Sequence, residues 1–155
     1  MSGTLGVVFY VTGEKMNYKK WMLVVIFLVL SPTVYGGEKP LDEDPVVYII
    51  SPVDGSTNVS PVRVVFGLSG MGVAPAGVQI ANTGHHHLLI DVDSLPESNL
   101  PIPSDKKHRH FGAGQTEASV DLSPGSHTLQ LILGDHYHIP HTKPVVSKKI
   151  TIKVK

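Results

Sequence analysis

The chain has no cysteine. That excludes disulfides, a thiolate-ligated blue-copper centre, covalent c-type haem and a lipid-modified cysteine anchor. Aromatics are scarce. The one tryptophan is Trp21, and beyond residue 36 there remain Tyr48, Phe66, Phe111 and Tyr137. Neither sign of charge dominates, with 13 Lys and Arg against 13 Asp and Glu. A nucleic-acid footprint needs a basic stripe, so no nucleic-acid partner is expected. Long apolar runs are missing too. Trp21 to Leu30 is ten residues, well short of the roughly 18 that span a bilayer as a helix.

What that run does have is the shape of a signal-peptide core. Lys19 and Lys20 precede it, and Ser31-Pro32-Thr33-Val34-Tyr35-Gly36 follows it. A basic start, a short apolar core and small residues before the cut suit signal peptidase. Residues 1–36 are therefore expected to form an N-terminal signal helix cleaved after Gly36, and the competing reading is an uncleaved anchor. Met16-Asn17-Tyr18-Lys19-Lys20 is a conventional signal opening, so Met16 is the expected true start. The predicted destination is periplasmic or secreted, with no stable membrane insertion after cleavage. Residues 37–45, polar with two prolines, read as a flexible lead-in to one domain over 46–155.

Within that domain short β-type runs alternate with turns. Val46 to Ile50 comes first, then the turn Pro52-Val53-Asp54-Gly55. Val62 to Leu68 and His86 to Val92 alternate with a period of two. Residues 69–84 and 94–107 read as long loops. A short strand surrounds Val120. Ser123-Pro124-Gly125 turns into Ser126 to Leu133, and Val145 to Val154 closes the set. No segment sustains a helical period. The fold class expected is all-β, an immunoglobulin-like antiparallel β-sandwich of about seven strands.

The chemistry-bearing residues are nine histidines confined to residues 85–141. Three His-x-His pairs stand out: His85/His87, His108/His110 and His136/His138, with His141 after the last. Side chains two apart on a strand share a face. His85 and His87 therefore point together, while His86 points with Leu88 and Ile90 toward the expected core. Neutral imidazole is the commonest biological metal ligand, and nitrogen ligands suit zinc or copper(II). These seven histidines are the candidate metal ligands. Met71, His86, Asp91 and Asp135 are possible additional or supporting groups. His127 stands where such sandwiches often carry a tyrosine docked back on the chain, and is read as structural. A metal held by deprotonated imidazoles should be lost as pH falls below about 6.5.

The run Thr83-Gly84-His85-His86-His87-Leu88-Leu89-Ile90-Asp91 resembles a known family. So do His108-x-His110-Phe111-Gly112, Gly114-Gln115-Thr116, Gly125-Ser126-His127-Thr128-Leu129-Gln130-Leu131, Gly134-Asp135 and His138-Ile139-Pro140-His141. The loop Gly70-Met71-Gly72-Val73-Ala74-Pro75-Ala76-Gly77 is similar as well. The family is the bacterial domain of unknown function 4399, and the likeness covers roughly 46–154. It implies an exported single domain to which these histidine motifs belong, and carries no activity with it.

Enzyme signatures are missing. The patterns His-x-His-x-Asp-His, His-Glu-x-x-His and Gly-x-Ser-x-Gly are not met, and a mature chain beginning at Gly37 offers no terminal histidine for a copper brace. No enzyme activity is therefore expected. Two readings remain. One is an exported metal-binding protein for copper or zinc capture or delivery, whose partner is the ion or an envelope protein. The other is a non-catalytic carbohydrate- or protein-binding module with structural histidines. The scarcity of aromatics for sugar stacking counts against the second.

Overall fold

The computed structural model describes residues 44–155. The signal helix, the cut after Gly36, the start at Met16 and most of the 37–45 lead-in lie outside the described residues.

Nine strands follow in order: β1 Val46–Ser51, β2 Thr57–Asn58, β3 Val62–Ser69, β4 Gly72–Val73, β5 Thr83–Ile90, β6 His108–Phe111, β7 Glu117–Val120, β8 Gly125–Gly134 and β9 Ile150–Val154. There is no helix among the described residues. One sheet has the order β1-β3-β7, and the other runs β2-β9-β8-β5-β4, with β6 also paired to β5. Most pairings are antiparallel. The short β2–β9 and β4–β5 pairings are parallel, a departure from the purely antiparallel expectation.

Alternation builds the main core. Val62, Val64 and Phe66 of the small sheet face Leu88, Ile90, Leu129, Leu131 and Leu133 of the large one, all buried. Two expected elements differ in extent. The run 145–154 is a strand only from Ile150. The Ser147 hydroxyl accepts the amide N–H of Leu131 and donates to the carbonyl of Lys148, so a side chain interrupts the ladder there. β5 stops at Ile90 because Asp91 turns into the left-handed region, φ 53°. Its carboxylate accepts the Thr128 N–H at 2.8 Å and lies 2.7 Å from His127 Nδ1.

The second face of the large sheet is covered as well. Leu89 of β5 and Ile132 of β8 form a separate buried cluster with Ile102 from the 94–107 loop. The Ile102 N–H also donates to the His138 carbonyl at 2.8 Å. This loop therefore acts as a strap, pinned by one apolar side chain and by two backbone bonds, the second from the Ile90 N–H to the Lys107 carbonyl. Burying an isoleucine stabilises by about 2–3 kcal/mol. Ile102→Ala is expected to lower unfolding free energy by about 2–4 kcal/mol in a urea titration, and to raise hydrogen exchange at the amides of 100–107 before the rest of the chain.

Candidate metal centre

β5 is the centre of the large sheet and seven of its eight residues are buried. Alternation sends His86 inward, its ring 5.1 Å from Phe66. His85 and His87, each 1 % exposed, go to the strap-covered face. Register then brings in their neighbours. His87 is the partner of His110 on β6, and His85 is opposite Gly134, the last residue of β8.

A tight turn after β8 returns a fourth ring. The Asp135 carboxylate accepts the N–H of Tyr137 at 2.8 Å and of Ile139 at 2.9 Å. The His138 N–H donates to the Asp135 carbonyl, and Asp135 N–H to Ile139 carbonyl. His138 sits at φ 67°, a conformation uncommon outside glycine but one in which histidine is over-represented. The turn and the Ile102 strap hold it there.

The four rings converge. One nitrogen from each of His85, His87, His110 and His138 lies within 4.8 Å of the other three. His85 Nε2 is 3.1 Å from His87 Nε2 and 3.1 Å from His138 Nδ1. Around a tetrahedral ion with bonds of 2.0–2.1 Å, nitrogens stand about 3.3 Å apart and ring centroids about 5.2 Å apart. Here five of the six centroid separations fall between 4.7 and 5.0 Å, and His87–His138 is 6.1 Å. The group could hold a metal ion.

Two glycines make room for it. A Cβ on Gly134 would stand 3.0 Å from His87 Nε2 and 3.2 Å from the His138 Cα. A Cβ on Gly112 would overlap the His110 ring outright, at 2.3 Å from Cε1. Both glycines lie in motifs of the family resemblance, but neither their role here nor that of Ile102 was legible in the sequence, because nothing local marks a glycine whose Cβ would meet a ring.

A sequence model of the domain of unknown function 4399 matches residues 64–155. The chain belongs to this family. No curated protein matches the chain. Among solved structures, the endo-β-1,4-mannanase from Thermotoga petrophila superposes with a TM-score of 0.43 and 20 % identity, over 77 % of this chain and 21 % of the mannanase. The chain thus spans about a fifth of that enzyme, and at this level the likeness bears on neither activity nor substrate.

The other candidate residues of this DUF4399 domain stand apart from the four rings. His108 leans on the Asp105 carboxylate, 3.0 Å from Nδ1. His136 stacks on Tyr137 at 4.0 Å. His141 packs over Gly84, whose Cβ would come 2.9 Å from Nε2. Met71 packs partly buried against the main core. Asp135 closes the turn, and Asp91 holds His127, whose Nε2 donates back to the Ser123 carbonyl at 2.8 Å. His86 Nδ1 lies 3.3 Å from the Gln115 carbonyl, on the opposite face from the cluster.

Burial sets the electrostatics. It pulls the His85 imidazole down to about 4, with His110 and His138 adding repulsion. It pulls His87 down to about 3, with His85 and His110 contributing. His110 is lowered by burial and then by His138. His127 moves the other way, raised by Asp91 and the Ser123 carbonyl.

These directions fix the acid response. Unfolded histidines take up protons near pH 6.5, whereas folded His85 and His87 do not until about 4 and 3. Their contribution is complete above pH 6.5 and is lost as pH falls toward those values. His127 opposes this, since its raised value favours folding at lower pH, but it is one group against five that burial lowers, His85, His86, His87, His110 and His141. The metal-free domain is expected to lose on the order of 2–4 kcal/mol between pH 7 and 5, as summed histidine linkage. Urea midpoints across that range measure it, and His87→Phe should flatten the slope.

Proposed function

We propose that this domain is an exported protein that binds one copper or zinc ion through His85, His87, His110 and His138, for capture or delivery. The observation that carries the reading is the convergence of four imidazole nitrogens whose contacts protons alone do not satisfy. His85 Nε2 meets two other ring nitrogens at 3.1 Å. If it carries the proton, it can donate to one neighbour and leaves the other unserved. If it does not, its proton is on Nδ1, which is buried with no protein partner. Buried polar atoms are nearly always paired. A single cation that accepts a lone pair from each of the four rings removes the competition among the converging nitrogens.

An all-imidazole set suits zinc and copper(II) and not calcium or magnesium, which take oxygen ligands. Four protein ligands leave no open position, the arrangement of sites that hold an ion rather than react on it. Two ligands are deeply buried, while His110 is exposed and His138 half-buried. An ion is therefore reachable from that side, as capture and release require. The basic residues, apolar core and small residues of 19–36 support export. His127 bonding back to Ser123, in the role a corner tyrosine has elsewhere, supports an immunoglobulin-like reading of the two sheets. Among the described residues, the exposed tyrosines Tyr48 and Tyr137 do not make a sugar platform.

Titration of untagged residues 37–155 at pH 7 should give one equivalent of zinc or copper(II) at submicromolar affinity. His85→Ala and His87→Ala should each weaken it at least about a hundredfold, and Gly112→Ala about tenfold by displacing His110. His108→Ala and His136→Ala should change it little. Micromolar or weaker affinity, indifferent to His85 and His87, defeats the reading. Depressed proton affinity in the buried rings also moves the onset of metal loss below the pH 6.5 expected for ordinary histidines.

A further inference from the structure

The spacing of the four rings bears on which ion they take. A tetrahedral ion sets all six centroid separations near about 5.2 Å. A square-planar ion sets four at about 4.5 Å and the two pairs across its centre at about 6.4 Å. The planar shape therefore needs two wide pairs that share no ring. His87–His138, at 6.1 Å, is the single wide pair, and the pair that would have to match it, His85–His110, is at 5.0 Å. The rings of His85, His110 and His138 stand edge-on to one another, at 77° to 82°.

Either shape takes some movement, and the surroundings favour one of the two. To flatten, His85 and His110 must part by about 1.4 Å. His85 is 1 % exposed on the central strand, with no space to retreat into. His110 is held opposite His87 by the β5–β6 ladder. To become tetrahedral, His87 and His138 must approach by about 0.9 Å. His138 is half-buried, on a turn. The residue against both members of this pair is Gly134, whose Cβ would stand 3.0 Å from His87 Nε2 and 3.2 Å from the His138 Cα. Its missing side chain leaves the closing path free.

We infer that the site is shaped for zinc and holds copper(II) off its preferred planar geometry, with Gly134 as the residue that makes the tetrahedral spacing reachable. The inference rests on the metal reading above and narrows it. Zinc has no d-electron preference of shape and accepts the tetrahedral set. Imidazoles by themselves rank copper(II) above zinc, so the fold has to lower that advantage through geometry. Copper(I) shares zinc's freedom of shape but favours sulfur. The four ligands are imidazoles, and Met71 packs against the main core.

The test loads untagged residues 37–155 with zinc, cobalt(II) and copper(II) in turn. Cobalt(II) should absorb visible light at least about tenfold more strongly than aqueous cobalt(II), as tetrahedral ligation requires. Copper(II) should show a smaller parallel hyperfine splitting by electron paramagnetic resonance than its tetraimidazole complex. The copper-over-zinc affinity ratio should be at least about tenfold lower than that of free imidazole. Gly134→Ala should weaken zinc at least about tenfold and copper(II) less, because planar copper keeps the pair wide. A chain that takes none of the three ions overturns the metal reading itself. A chain that takes them but gives weak cobalt absorption, or the copper splitting of the planar complex, overturns the selection of zinc alone. Equal loss of both ions in a Gly134→Ala chain that still unfolds cooperatively in urea overturns the role of Gly134.

Discussion

β5 is buried on both faces, and much of what that burial costs falls on three histidines. A strand between two apolar layers would ordinarily read as leucine, isoleucine and valine. Here its second half does so with Leu88, Leu89 and Ile90, while its first half carries His85, His86 and His87. Buried imidazoles must stay neutral and find partners. His86 has a carbonyl near one nitrogen and an aromatic ring against its face. His85 and His87 have chiefly each other and two further rings. The rest of the site follows from how those two are enclosed.

The enclosure is made by elements with little regular structure of their own. The strap through Ile102 closes the outer face of β5 and β8, and the same strap bonds the backbone of His138. The Asp135 turn supplies His138 in a left-handed conformation. β6 is four residues long, yet its register against β5 sets His110 beside His87. Gly112 and Gly134 are small because rings occupy the volume a Cβ would need. Packing and polar chemistry are thus interlocked, so loosening the strap should reach the four rings without any change to them.

Much was legible in the chain before any fold was known. Period-two alternation marked β3, β5 and β8 and the inward direction of His86, because side-chain direction along a strand depends only on the backbone, and a β-type run marked β1. The shared face of His85 and His87 followed from the same rule, whereas His127 was read as structural from its place at the turn where such sandwiches often carry a docked tyrosine. β2 and β4 were not legible, since two-residue strands leave no periodic trace. Nor could the sequence sort its seven candidate ligands. His108 and His110 share one motif, and His136 and His138 another, yet one of each pair joins the cluster while its twin pairs with Asp105 or stacks on Tyr137. That division was decided by strand register and by one left-handed residue in a turn. Both are set by contacts between segments far apart in the chain, and local spacing carries no record of them.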